Sequence, residues 1–421
     1  MNRSGYEDLP LIRPFAGLRP APKFAAEVIA PPYDVMNRAE ARSYAAHRPL
    51  SFLHISRAEI DLPGDTGPFD PTVYRKAVEN LERMCRQGIL VQDEHPCFYV
   101  YRLIMAGHKQ TGLVAVASVN AYEAGRIKRH EFTRPDKEDD RMRHIEALNA
   151  QTGPVLLSYK SDPAVDGVLA AQASGVPAAD ITADDGVRHM IWVIRDADII
   201  NRLEQAFDAM AALYIADGHH RSAAAARVAA SRRKANPAHT GEEAYNYFLA
   251  VMFPHDQMRI MDYNRVVRDL NGHSEEAFLD RLKPSFLVEA SGAPVAPGRA
   301  GEFGMYLTGR WFCLRIQRRL IPADDPVGRL DVSLLANNLI EPVLGINDPR
   351  RDPRINFVGG IRGLGELERR VNSGEMAVAF SMYPTGMEDL MAVADCGEVM
   401  PPKSTWFEPK LADGLVSHML G

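Results

Sequence analysis

Leu213-Tyr214-Ile215-Ala216-Asp217-Gly218-His219-His220-Arg221-Ser222-Ala223-Ala224-Ala225 changes character halfway along. Its first four residues are a short apolar run of strand type. Residues 222–235 are rich in Ala and Arg, both strong helix formers. The polar residues between them therefore sit at a strand-to-helix junction. The first backbone N–H groups of a helix lack internal partners, and the helix dipole favours an anion there. Gly218 lets the backbone approach a ligand closely. Arg221 presents a planar fork of donors suited to phosphate oxygens. His219 and His220 add donors or proton carriers near neutral pH. Asp217 by itself reads as an ordinary helix cap, but Asp, Gly, His, His and Arg in one turn read as an anion site. Two adjacent histidines point in different directions and make a poor metal pair. Asp217 is the candidate metal ligand, for magnesium accompanying a nucleotide.

Working outward, the alternation of apolar runs and helical periodicity continues on both sides. Residues 155–159, 187–193 and 247–253 read as strands, and residues 197–210 as a helix. Residues 98–105 and 111–120 read as a hairpin around the turn Ala106-Gly107-His108-Lys109. Residues 37–46 read as a helix with Asn37 as N-cap, residues 50–55 as a strand, and residues 73–88 as a helix stopped by Gly88. Further on, residues 299–317 read as paired strands around Thr308-Gly309, residues 332–344 and 364–371 as helices, residues 376–383 as a strand and residues 389–395 as a helix. The expected class is α/β or α+β. Three regions are expected: 1–125, a core at 126–270, and 271–421.

Composition bounds the function. At 421 residues the chain is long enough for two or three packed units. A net charge of −6 lacks the basic surplus of proteins that grip duplex DNA, so no nucleic-acid partner is expected. Cys85, Cys97, Cys313 and Cys396 have no paired spacing, which disfavours zinc-ribbon or redox sites and fits a reducing compartment. Residues 1–20 are not read as a signal peptide, and no apolar run reaches the roughly 18 residues of a membrane span. A cytoplasmic protein without a membrane partner is expected, and a homodimer is left open. The patterns GxxxxGK[ST], GxGxxG after a strand and GxSxG are missing, so a P-loop NTPase, a dinucleotide-binding dehydrogenase and an α/β-hydrolase are disfavoured.

Three other stretches carry candidate chemistry. In Ala30-Pro31-Pro32-Tyr33-Asp34-Val35 two prolines hold the backbone extended, and Tyr33 and Asp34 follow as candidate substrate contacts. Arg129-His130-Glu131-Phe132-Thr133-Arg134-Pro135-Asp136-Lys137 leads into a helix in which Lys137 and Arg141 share a face able to hold phosphates. His130, Thr133, Lys137 and Arg141 are candidate ligand-binding residues, although a bare charge run is more often a solvated face. The loop Met400-Pro401-Pro402-Lys403-Ser404-Thr405-Trp406-Phe407-Glu408-Pro409-Lys410 offers Lys403, Ser404 and Thr405 to phosphate or carboxylate on a proline-stiffened backbone.

These segments, with Tyr245-Asn246-Tyr247, resemble in order and over nearly the whole chain the prokaryotic domain-of-unknown-function family 1015. The Asp-Gly-His-His-Arg turn also resembles, locally, a phosphate-holding turn in free-serine kinases of the ParB/sulfiredoxin fold. That second resemblance implies a ParB/sulfiredoxin-like nucleotide-binding core with added segments. It also implies a kinase using ATP or ADP with Mg2+ to turn free L-serine into O-phospho-L-serine. By it, Asp217, His219, His220 and Arg221 lie around the transferring phosphoryl group, with Gly218 and Ser222 at the nucleotide. Asp217 is the first choice for the base that deprotonates the hydroxyl. Arg221, His220 and Lys137 stabilise phosphoryl charge. The separate acidic residue of those kinases has only Glu131 and Asp34 as counterparts. Release of serine from phosphoserine, and a nucleotide-binding switch without catalysis, are the alternatives.

Overall fold

The computed structural model describes residues 10–421. Of the stretch 1–20, not read as a signal peptide, residues 1–9 lie outside the described residues. The protein is a mixed α/β chain with two compact units. One runs through Met258 and resumes at Pro409–Gly421; the other is Arg259–Glu408. This division replaces sequence boundaries at 125/126 and 270/271, because strands on both sides of residue 125 hydrogen-bond into one sheet.

The first unit is built on a mixed nine-stranded sheet. Its strands are β1 (Ile12–Arg13), β2 (Phe98–Met105), β3 (His108–Ser118), β4 (Ile127–Lys128), β5 (Val155–Tyr159), β6 (Ala179–Thr182), β7 (Arg188–Ile194), β8 (Leu213–Asp217) and β9 (Tyr247–Pro254). They lie in the order β4-β8-β5-β9-β3-β2-β7-β6, with β1 paired to β3. The pairs β4–β8 and β5–β9 are parallel and the others antiparallel. Strand β9, an unbroken apolar run, is buried along its whole length, as a central strand covered on both faces must be. The expected hairpin is β2–β3. Ala106 and Gly107 take φ of 48° and 83°, the left-handed pair that a two-residue turn between twisted strands demands. Phe98, Leu113, Leu157, Phe207 and Phe248 fill the core between sheet and helices.

The helices of the first unit include α1 (Arg38–Ala45), α2 (Pro71–Arg86), α3 (Pro135–Leu148), α4 (Ala197–Asp208) and α5 (His219–Ala235). Asn37 caps α1, and Glu40 returns the bond to close a capping box. Helices α3 and α5 meet through Ile145, Ala224 and Val228, with Met142 against them. The strand expected at 50–55 is a helical turn, Leu53–Ser56. A short apolar run does not distinguish a buried strand from a buried turn. Here the tertiary environment decides, since Asn80 of α2 donates to the His54 carbonyl at 2.7 Å and holds the turn.

The second unit carries a six-stranded antiparallel sheet of β10 (Tyr263–Val267), β11 (Phe286–Ser291), β12 (Glu302–Leu307), β13 (Arg310–Ile316), β14 (Ile355–Gly359) and β15 (Val378–Ser381). The order is β11-β13-β12-β15-β10-β14. The expected pairing around Thr308-Gly309 is β12–β13. The single helix expected at 332–344 is a short α-helix, Asp331–Leu335, that widens into a π-helix, Ala336–Ile340. The Asn338 side chain donates to the Leu334 carbonyl at 2.9 Å, competing with the regular backbone ladder there.

Residues 409–421 are stitched back into the first unit. His418–Met419 pairs with Ala150–Gln151, Ser417 bridges to Leu18 and Asp413 bridges to Ala30. The register of β3 against β9 is testable at Gly112. A Cβ there would sit 2.4 Å from the Met252 carbonyl oxygen and 2.7 Å from a Phe253 ring carbon. We predict that Gly112→Ala costs about 1–3 kcal/mol in denaturant unfolding; an unchanged midpoint would refute this register.

Candidate functional site

The strand-to-helix junction forms as the sequence requires. The pairing of β8 with β5 shifts register between Ile215 and Asp217, an irregularity that re-aims the strand's last side chain. Gly218 follows with φ of 107° at the N-cap position of α5. A Cβ at Gly218 would lie 2.9 Å from Nε of Arg221, so backbone angle and close approach both call for glycine. Arg221 folds back beneath this turn. Its Nη1 donates to the Pro154 carbonyl at 2.6 Å, and its Nη2 lies 3.6 Å from Asp217. Its Nε is buried and has no partner.

Residues 409–421 bring two further charged groups. Lys410 Nζ donates to Asp217 at 3.4 Å, and the buried Asp413 carboxylate accepts the Tyr33 N–H at 3.1 Å. The Tyr33 ring lies beneath the Arg141 guanidinium, 4.1 Å from ring centre to charge, and Arg141 pairs with Asp140 at 2.6 Å. Two clefts open at this cluster. One is lined by residues including Tyr33, Ser56, Arg141, Thr152, Arg221 and Asp413. The other is lined by Pro32, Leu156, Asp217, Arg221, Lys410 and Leu411. Arg221 lines both.

Electrostatics separates the two carboxylates. Burial would raise Asp217, but Lys410, Arg221 and His219 outweigh it and hold the group well below the usual carboxylate range. Asp413 goes the other way. Burial pushes it up to about 7, reinforced by Asp34 and only partly opposed by Arg221, the Tyr33 N–H and Arg141. Burial raises the Tyr33 hydroxyl to about 12. Burial lowers Arg221, yet Asp217, Asp34, Tyr33 and Asp413 together keep it above its ordinary value.

A second cluster adjoins the first. The His130 and His219 rings meet edge to face with centroids 4.5 Å apart, and the His130 N–H donates to His219 Nε2 at 3.4 Å. Glu131 lies 3.9 Å from His219 Nδ1. Burial holds both imidazoles neutral, His130 at about 4 and His219 well below its ordinary value.

The family model described as a protein of unknown function, DUF1015, matches residues 12–333. This chain belongs to the DUF1015 family. No curated protein matches it. Among solved structures, the DUF1015 chain is similar to a free serine kinase in complex with AMP, at 15% identity and a TM-score of 0.34, over 72% of this chain and 92% of that one. It is similar to a conserved hypothetical protein from Pyrococcus furiosus at 14% identity and a TM-score of 0.34, over 71% and 93%. It is also similar to C-terminally truncated SbnI from Staphylococcus aureus at 12% identity and a TM-score of 0.35, over 71% and 85%.

The DUF1015 site gathers some of the residues singled out in the sequence and disperses others. Asp217, Gly218, Arg221, Arg141 and Tyr33 converge, and the charge of Asp34 acts on Arg221. His220 is committed to the neighbouring loop, accepting the Arg134 N–H at 3.0 Å. Ser222 donates into its own helix, to the His219 carbonyl at 3.0 Å, so its hydroxyl is turned from the cleft. Thr133 donates to Glu138. Lys137 stays exposed while Arg141, four residues on, is tucked against Tyr33. Lys403, Ser404 and Thr405 belong to the second unit. There the Lys403 carbonyl accepts from Arg265 at 3.0 Å and the Ser404 hydroxyl donates to the Pro401 carbonyl at 2.6 Å. Sequence reading missed Lys410 and Asp413 as site residues. Lys410 stood at the end of the proline-rich motif, whereas Asp413 had no motif around it.

The elevated carboxyl predicts a pH signature. Asp413 holds its proton to about pH 7 in the folded protein, against an ordinary 3.8, so folding takes up a proton between these values. The stability this gives is present below about pH 4 and is lost as pH rises through about 7. Asp413→Asn removes that loss and still accepts the Tyr33 N–H. We expect its melting temperature to match the wild type near pH 4.5 and to exceed it at pH 8. Equal melting temperatures at both pH values would show that the carboxyl is not raised.

Proposed function

We propose that this DUF1015 protein is a nucleotide-dependent phosphotransferase acting on a small hydroxyl substrate, with free L-serine converted to O-phospho-L-serine as the specific reading. The observation that carries it is the buried, partly unsatisfied guanidinium of Arg221, lining two clefts beside Arg141 and Lys410. Arginine presents several directed donors to phosphate oxygens, and a water-poor setting strengthens each bond. In this reading the phosphates lie against Arg221, Arg141 and Lys410, and the small substrate occupies the cleft lined by Tyr33 and Asp413. The choice of serine comes from the sequence resemblance of the Asp-Gly-His-His-Arg turn, as does the ParB/sulfiredoxin-like core.

The chemistry is a single displacement. The substrate hydroxyl oxygen forms a bond to the terminal phosphorus while the bond to the nucleotide's bridging oxygen breaks, and the hydroxyl proton passes to a carboxylate. The sequence points to Asp217 for this step. Electrostatics favours Asp413, because a carboxylate held far below neutrality is a weak base. Asp217 then orients Lys410 and Arg221. Magnesium bound with a nucleotide neutralises phosphate charge. Asp217 is a poor fit as its ligand, since Lys410 and Arg221 already face that carboxylate, so no step is routed through a metal there.

The test begins with thermal stabilisation by ATP, ADP and AMP, then phosphoryl transfer assayed in both directions with serine and phosphoserine. We expect a nucleotide to raise the melting temperature, Arg221→Lys to abolish that rise, and Asp413→Asn to bind nucleotide while losing about 10²–10⁴-fold in turnover. Failure of every adenine nucleotide to stabilise the protein would overturn the proposal. Tight binding without turnover in either direction would establish a nucleotide switch in its place.

A further inference from the structure

We propose that His130, Glu131 and His219 form a binding site for a divalent transition metal of the zinc class, with at least one coordination position open to solvent. In the sequence the two histidines of the turn are neighbours, and neighbours do not share a metal. In the fold His219 is turned away from His220 and meets His130 across the end of β8. One ligand atom from each of His130, Glu131 and His219 lies within 4.8 Å of the other two. Tetrahedral zinc ligands sit about 3.4 Å apart, given zinc–nitrogen and zinc–oxygen bonds near 2.1 Å. A side-chain adjustment of about 1.5 Å or less therefore closes the site.

A second observation points to a ligand. Nδ1 of His130 is buried without a hydrogen-bond partner, in a side chain only 2% exposed. A buried polar atom left unpaired is unfavourable, and here it is an imidazole nitrogen beside a second imidazole and a carboxylate. The long 3.4 Å contact from the His130 N–H to His219 Nε2 is a weak bond that can yield when the ring is ligated.

The donor set defines the class of ion. Two imidazoles and one carboxylate suit Zn2+, Co2+ or Fe2+, whereas Mg2+ and Ca2+ prefer oxygen donors throughout. Three protein ligands leave room for water or a substrate oxygen. The geometry places that opening on the Glu131 side, where 47% of the side chain is exposed while His219 is 3% exposed. This site stands or falls independently of the phosphoryl-transfer reading, because it uses neither Arg221 nor Asp413.

The experiment uses the full chain, stripped with a chelator and titrated with Co2+, read by visible absorption and equilibrium dialysis, then displaced with Zn2+. We expect about one Co2+ per chain, with a d–d band that Zn2+ abolishes. Glu131→Gln, at a half-exposed position, should weaken binding about 10-fold or more with an unchanged melting temperature. His130→Asn should remove the band. If His130→Asn fails to fold, Glu131→Gln alone decides. Substoichiometric Co2+ without a band, or a wild-type titration in the folded Glu131→Gln variant, would overturn the site.

Discussion

A guanidinium with 10% of its side chain exposed, placed where a helix begins, is the constraint around which the first unit is arranged. An unpaired buried cation is expensive by several kcal/mol, so the surrounding chain must supply partners. Gly218 leaves the space that Nε and Nη2 occupy. The carbonyl of Pro154, just before β5, takes one hydrogen bond. Asp217 supplies the counter-charge, and residues 409–421 bring Lys410 and Asp413 to the same place. These come from three parts of the chain: the turn itself, the segment before β5, and residues 409–421. One donor, Nε, is still unsatisfied. A buried arginine with a donor left unpaired has a ready position for an anion.

The two carboxylates beside Arg221 show how one cation produces opposite results. Asp217 keeps about a third of its side chain exposed and has two cations facing it, so attraction wins. Asp413 is 1% exposed and shares its surroundings with Asp34, so burial and repulsion win. Such separation of neighbouring acids is how a site holds an anchor and a proton acceptor at one pH. The protein thereby has a carboxylate that stays charged and a carboxyl that exchanges its proton near neutrality.

Much of this was legible in the sequence where the signals are local. The apolar run 213–216, the glycine and the Ala-rich stretch gave β8, the turn and α5, because strand pattern, left-handed glycine and helix propensity act over a few residues. The Asn37 cap and the Ala106-Gly107 hairpin were legible for the same reason. The run 50–55 was not, since it is short and apolar enough to be buried in either form. The site was half legible. Asp217, Arg221, Arg141 and Tyr33 belong to motifs and were found. Asp413 has no motif and is recruited across 380 residues to Tyr33 by backbone pairing of Ala30 with Asp413. His219 was assessed against its neighbour His220, whereas its spatial partner His130 is 89 residues away. Ser222 and His220 were overread, because a polar side chain at a promising turn can equally brace its own helix or loop.

The return of residues 409–421 has a consequence for the site. The second unit is spliced between β9 and the segment that carries Lys410 and Asp413, so every strand of the nine-stranded sheet precedes in the chain the residues that complete the site. The surroundings of Arg221 and Asp217 are completed by this last segment, whose Asp413 and Ser417 bridge to Ala30 and Leu18. A chain without residues 409–421 keeps Arg221 but lacks Asp413 from one cleft and Lys410 and Leu411 from the other, and with them the proton-exchanging acid.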